Sequence, residues 1–297
     1  MSPMQYKEQH RCLVMSDSAI VDVYCFGDEG HPAIIIAPSL TGSLVPHMGL
    51  IEHLTQQGYY LIFSDYRAHA SKEVGQTSGM RLSRTSSDLH EVIAQLNIHK
   101  PILLGHSIGC AVIWGCLELY GQENVTGLIL LDQPPILMLA HDNHASYCAD
   151  WNIFDAKDYP ALLQKMQSMD AASFKVFVEE MFENGFMSES AKKKGRLKEW
   201  VSGTADMVPS NIMDLMVDSL NHDWSDFIPK IQLPTLIIGG RASMTPWQSQ
   251  VWLANQIENA SLVLVEEEDG GMHAMFLDDT GAQLTFEAID RFLKNLS

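Results

Sequence analysis

Pro101-Ile102-Leu103-Leu104-Gly105-His106-Ser107-Ile108-Gly109-Cys110-Ala111-Val112 is the stretch that decides the fold. It opens with a short apolar run of strand length, passes through Gly105-His106-Ser107-Ile108-Gly109, and continues as an apolar helix to Tyr120-Gly121. A Gly-x-Ser-x-Gly turn between a strand and a helix is sharp enough to strain its serine and to lift the hydroxyl clear of the sheet. The glycines answer a steric need, because a Cβ at either position would meet the neighbouring strand or helix.

Outward from this turn, strand-like and helix-like stretches alternate, which predicts an α/β sheet. Arg11–Met15 and Ala19–Phe26, separated by Ser16-Asp17-Ser18, read as an opening antiparallel pair. Ala33–Ala37, Tyr60–Phe63, Leu128–Leu131, Thr235–Ile238 and Ser261–Val265 are further strands. Helices are predicted around Met48–Gln57, Ser83–Leu96 and Ala282–Leu296, where apolar residues recur at helical spacing. Between Pro135 and about Lys230 the strand signal stops and several helices are expected, with breaks near Pro160 and Pro209. The expected organisation is therefore an α/β core from residues 1–135 and 231–297, with a helical cap inserted at 136–230. Eight of the sixteen methionines fall between Met138 and Met216, which suits either an adaptable apolar pocket or plain helix–helix filling.

The chain has 297 residues, 46% of them hydrophobic and 19% charged, enough for a sizeable core. Its net charge of −18 disfavours nucleic acid and anionic membranes as partners. The first residues lack the apolar core of a signal peptide, and no apolar run has the length of a bilayer span. Five cysteines without a C-x-x-C pair suggest reduced thiols and a cytoplasmic location. No phosphate loop or dinucleotide fingerprint is present, so no cofactor is expected, and no metal either. His141-Asp142-Asn143-His144 is too sparse for a metal site, and Ala191-Lys192-Lys193-Lys194-Gly195-Arg196 reads as a solvated helix end.

With these residues in place, the chain resembles the α/β-hydrolase family, in particular its small esterase, lactonase and haloperoxidase-like members. The landmarks are the turn after Ala37, the turn Asp65–Ser71, the Ser107 turn, Leu131-Asp132-Gln133-Pro134-Pro135, and Gly270-Gly271-Met272-His273. The resemblance implies an α/β-hydrolase fold, with a mostly parallel central sheet flanked by helices. It departs from the family pattern at Pro38-Ser39, where His-Gly is usual, and at Ala68 and Ala70, where glycines are usual. A serine hydroxyl needs a base to become nucleophilic, and the family's chain order is serine, acid, histidine. His273, after the last strand and before the terminal helix, fits the base. Most members carry the acid after the penultimate strand, but Gly239-Gly240-Arg241-Ala242-Ser243 holds no carboxylate. Asp132, at the end of the preceding strand, is the expected acid, with Asp223 or Asp226 as alternatives. The resemblance also implies an oxyanion hole from the backbone N–H groups of Leu40 and Ile108.

The expected function is a serine hydrolase cleaving a carboxylic ester or lactone of a small organic molecule. The alternatives are a cofactor-free dioxygenase acting on an N-heteroaromatic ring, and a non-catalytic ligand-binding protein on the same fold. The partner in each case is a small molecule; the oligomeric state is left open.

Overall fold

Runs of consecutive apolar residues, buried on both faces, make the centre of the sheet. The computed structural model describes residues 8–69, 80–139, 154–182 and 185–296. Within them, β1 (Gln9–Val14) and β2 (Ile20–Phe26) pair antiparallel, with Cys12 opposite Asp22. Strands β3 (Ala33–Ala37), β4 (Tyr60–Ser64), β5 (Ile102–His106) and β6 (Gly127–Leu131) are buried at every residue. β1 alternates between half-buried and exposed positions, as an edge strand does. Two late strands, β9 (Thr235–Gly240) and β10 (Ala260–Val265), complete an eight-stranded sheet of order β1-β2-β4-β3-β5-β6-β9-β10. β2 joins β4 antiparallel, and every pairing from β4 to β10 is parallel.

This order has a switch point. From β3 the chain steps one way to β4 and later the other way to β5, so the connections leaving β3 and β5 diverge above their C-terminal ends. Parallel sheets hold their ligands in that crevice. Ser107 follows β5 and Leu40 follows β3, so topology alone brings them to the same edge.

Helices α1 (Leu44–Gln56), α2 (Leu82–Gln95) and α3 (Ile108–Tyr120) pack on the sheet, and α3 is buried from Ile108 to Leu117. Among the described residues of 136–230 there are five helices: α4 (Tyr159–Gln167), α5 (Ala171–Met181), α6 (Glu189–Lys193), α7 (Arg196–Gly203) and α8 (Pro209–Leu220). Asp170 starts α5 with a capping box to Ser173. The stretch is not purely helical, however, because β7 (Met138–Leu139) and β8 (Phe154–Asp155) form a two-residue parallel pair. Pairs so short leave no periodicity to read.

A helix not anticipated from the sequence, α9 (Trp247–Gln256), connects β9 to β10. Its inward face buries Ser249 and Gln250 beside Leu253, so polar residues occupy core positions and blur the apolar stripe. The final helix, α10 (Asp279–Leu296), begins before the expected Ala282 and buries Thr285, Ala288, Ile289 and Leu293 at helical spacing. Among the described residues no helix is long and apolar enough to cross a membrane.

Candidate active site

Ser107 occupies the hinge between β5 and α3 with φ 56° and ψ −128°, a conformation that L-residues seldom adopt. Its N–H donates to the Leu131 carbonyl at 2.8 Å, which ties the turn to β6. A Cβ on Gly109 would stand 2.0 Å from the Ala37 carbonyl oxygen, so α3 can start against the end of β3 only where the side chain is missing. That close approach brings the Ile108 backbone to the loop that carries Leu40. Both residues line the same cavity as Ser107 and His273.

His273 comes from the loop after β10. A Cβ on Gly271 would stand 2.0 Å from the Val265 carbonyl oxygen, so this loop folds back tightly onto its own strand. The His273 backbone is held on both sides: its N–H donates to the Gly185 carbonyl at 2.9 Å, and its carbonyl accepts from His106 Nε2 at 3.2 Å. The ring of Phe186 lies against the imidazole, with centroids 5.0 Å apart. The ring's Nδ1 is 2.6 Å from Asp132 Oδ2. With Nδ1 donating to a carboxylate, Nε2 is left with a lone pair, which is the state a general base needs.

Asp132 also has positive φ, at 56°, and is fully buried. A carboxylate there needs donors on its lone pairs. Besides His273, it accepts from the Gly240 N–H at 3.1 Å and from the Ser243 hydroxyl. Ser243 stands in the turn after β9, where family members usually carry the acid. In this chain the carboxylate bonded to His273 is at the end of β6, and the turn after β9 supplies a hydroxyl that donates to it. Thr245 adds a bond from its hydroxyl to the Asp132 carbonyl at 3.2 Å. The supporting roles of Gly240, Ser243 and Thr245 were not read from the sequence; the missing carboxylate in that turn was the only pointer to them.

The two alternative acids are engaged elsewhere. Asp223 accepts from the Ser225 N–H at 2.9 Å, and exposed Asp226 faces Lys230 at 3.6 Å.

The cavity has a volume of about 500 Å³. Leu137, Leu162, Phe177, Phe186, Met216 and Met244 form its apolar wall, and the exposed pair Lys165 and Glu180, 3.6 Å apart, stands beside them. Of the run from Met138 to Met216, only Met216 faces this space among the described side chains. Met138, Met166, Met187, Met207 and Met213 are core residues, so most of that run fills helix contacts.

The loop 38–42 and the turn 65–69 face each other beside the cavity. Burial above all pushes His47, on α1, down to about 4 and His106 well below its ordinary value, so both rings are neutral. Arg67, in the 65–69 turn, is buried in a bidentate pair with Asp88, both bonds 2.6 Å long, and reaches Asp17 at 2.7 Å. Ala70 and Ser71, the last residues of the expected turn, and His141-Asp142-Asn143-His144 lie outside the described residues.

Among the described residues one further group of ligand-type side chains is present, on the β1–β2 hairpin. Asp22 accepts from His10 at 2.7 Å and from the Cys12 thiol at 3.2 Å, an arrangement that satisfies its members without an ion. Three cations of the basic run are paired: Lys192 meets Glu189 at 2.9 Å, Arg196 meets Glu199 at 2.8 Å, and Lys194 meets Asp279.

The model of the α/β-hydrolase fold family matches residues 32–280, so the chain belongs to that family. A Synechocystis protein provisionally named a non-heme chloroperoxidase is 28% identical over 273 residues, covering 87% of this chain and 91% of that protein. An esterase from Exiguobacterium antarcticum superposes with a TM-score of 0.79 at 22% identity, over 96% of this chain and 99% of its own. A bromoperoxidase from Bacillus anthracis gives a TM-score of 0.78 at 21% identity, over 96% of this chain and 100% of its own.

Proposed function

We propose that the chain is a serine hydrolase that cleaves a carboxylic ester or lactone of a small organic molecule. The observation that carries this reading is the buried pair of His273 Nδ1 and Asp132 Oδ2, 2.6 Å apart, on a ring that opens into the cavity lined by Ser107. Ser107 Oγ attacks the carbonyl carbon while His273 Nε2 takes its proton. Asp132 orients the ring and stabilises the imidazolium. The N–H groups of Leu40 and Ile108 receive the developing oxyanion. The proton then passes from His273 to the leaving alcohol as the ester C–O bond breaks. Water, deprotonated by the same histidine, releases the acid and restores Ser107.

Residues 136–230 act as the cap over Ser107 in this reading, supported by Leu137, Leu162, Phe177, Phe186, Met216 and Ser219 all lining the cavity. An apolar cavity of about 500 Å³ in a chain of net charge −18 favours a neutral, compact substrate over a polyanion.

The test is a fluorophosphonate probe with mass mapping, alongside turnover of small p-nitrophenyl esters and lactones. Stoichiometric label on Ser107, and a loss of roughly 10⁴ or more in kcat for Ser107→Ala, is the expected result. Label on another serine, or unchanged turnover in Ser107→Ala, would remove the nucleophile. Oxygen uptake with a heteroaromatic substrate, retained in that variant, would point to the dioxygenase use of the same His–Asp pair.

A further inference from the structure

His69 is buried beside the cavity, and its two ring nitrogens face two different acceptors. Nδ1 lies against the Asp65 carboxylate, and Nε2 is 2.7 Å from the Leu40 carbonyl oxygen. Neither partner has a proton to give, so both bonds exist only when both nitrogens carry hydrogen. The geometry therefore demands an imidazolium, with Asp65 as its counter-ion. Burial opposes that charge, but the Asp65 carboxylate and the two hydrogen bonds outweigh it and raise His69 above its ordinary value.

The acceptor matters because of what else Leu40 does. In the hydrolase reading, on which this inference rests, the Leu40 N–H is an oxyanion donor. Its loop is pinned at successive carbonyls. The Tyr66 hydroxyl donates to the Pro38 carbonyl at 2.5 Å, the Gly42 N–H to the Ser39 carbonyl at 3.0 Å, and His69 to the Leu40 carbonyl. In a trans peptide the N–H points opposite to the C=O, so fixing the Ser39 carbonyl aims the Leu40 N–H the other way. Trp200 Nε1 also donates to the Thr41 hydroxyl at 3.1 Å. We propose that His69, held by Asp65, is the positioning residue of the oxyanion hole: it pins the peptide that follows Leu40 while Gly42 pins the one that precedes it, so the Leu40 backbone that presents the N–H is held from both sides.

Among the described groups bonded to this loop, His69 is the one that loses a charge on the alkaline side. On α1, burial pushes His47 down to about 4, so it is neutral well before the alkaline range. Burial raises the Tyr66 phenol well above its ordinary value. Arg67 is raised by its bonds to Asp88 and Asp17 against its burial, so it stays charged. Of the acids on α8, Asp218 accepts from the Leu82 N–H at 2.8 Å, and burial raises Asp214. As pH rises through the elevated His69 value, the ring keeps its proton on Nδ1, facing the charged carboxylate. A lone pair then turns toward the Leu40 carbonyl. Two acceptors repel, the loop loses its anchor, and oxyanion stabilisation weakens.

The experiment is a set of pH–kcat profiles for the wild type, His69→Gln, His69→Ala and Asp65→Asn, each with a melting temperature. Ser107→Ala is measured first. Turnover surviving in Ser107→Ala overturns the hydrolase reading and the oxyanion role with it, whereas its loss leaves the His69 test standing on its own. The wild type should lose kcat on the alkaline side. Asp65→Asn should move that limb to lower pH, because the imidazolium loses its counter-ion. His69→Gln, whose amide N–H can still reach the Leu40 carbonyl, should abolish the limb and keep kcat within roughly fivefold. His69→Ala should lower kcat roughly 10- to 100-fold with little change in KM, less than the roughly 10²–10³ for losing a donor outright. If His69→Ala does not fold, the other two variants decide. An alkaline limb unmoved in Asp65→Asn, or unchanged kcat in a folded His69→Ala, overturns the proposal.

Discussion

Two histidine–carboxylate pairs with buried rings sit along one edge of the sheet, and they differ in what faces the second ring nitrogen. His273 gives Nδ1 to Asp132 and turns Nε2 to the cavity. His69 gives Nδ1 to Asp65 and presents Nε2 to a backbone carbonyl. An open far side leaves a lone pair, and so a base that can cycle through both protonation states. A carbonyl there holds the proton in place, and the ring becomes a fixed link. In the proposed reading the same two side chains thus serve as a base or a clamp according to one neighbour.

The sharpest way to break this comparison is Asp132→Asn. The amide preserves shape but favours the wrong His273 tautomer, and kcat should fall by roughly 10⁴ with the melting temperature little changed. Full activity in that variant would mean that His273 is oriented by something else. Next comes the support under the clamp. Asp88→Ala leaves the Arg67 guanidinium buried with only its Asp17 contacts, and should cost about 3–5 kcal/mol in chemical denaturation. A loss below about 1 kcal/mol would show that the 65–69 turn does not depend on that pair.

Ser243→Ala removes one of the donors on Asp132 while leaving Gly240 and His273 in place. About 1–1.5 kcal/mol, or roughly five- to tenfold in kcat, is expected from a net hydrogen bond of this kind. An effect as large as that of Asp132→Asn would make the hydroxyl an equal partner in the pair.

A gentler effect is expected at Asp17, whose bond to Arg67 holds its carboxyl down at about 2. Because the folded value is depressed, the stability it adds is present above pH ~4 and fades as pH falls toward 2. Acid melting curves of Asp17→Asn should therefore be flatter through that window than those of the wild type. Asp226→Asn, at an exposed ion pair, should change kcat less than twofold. A larger change would reopen the choice of acid.

Much of the first pair was legible in the sequence. Ser107 sits in a pattern whose strand-to-helix setting can be read locally, and His273 follows from chain order once the serine is placed. Asp132 was legible only by the absence of a carboxylate near Ser243. The clamp could not be read, because its acceptor is the Leu40 carbonyl and every residue has a carbonyl. Helix α9 escaped for a related reason: Gln250 is buried by bonding to the Gln133 carbonyl at 3.1 Å, a partner distant in sequence that makes a polar residue a core residue. The methionine run left pocket lining and helix filling undecided because composition does not tell which face of a helix a side chain takes.

The left-handed backbone at Asp132 also bears on how such a site could change over generations. With φ 56°, residue 132 is comfortable as Gly, Asn or Asp and costly for β-branched residues, so drift at this site has few exits. The contact with Ser243 narrows them further. A lineage that gained Asp at 243 while keeping Asp132 would hold two carboxylates in contact, and one would have to stay protonated. Such an ancestor would carry a weakened orienting charge until residue 132 became Asn or Gly. In the hydrolase reading, moving the acid between the ends of β6 and β9 therefore passes through a poorer enzyme in either direction, which is reason enough for each arrangement to persist once established.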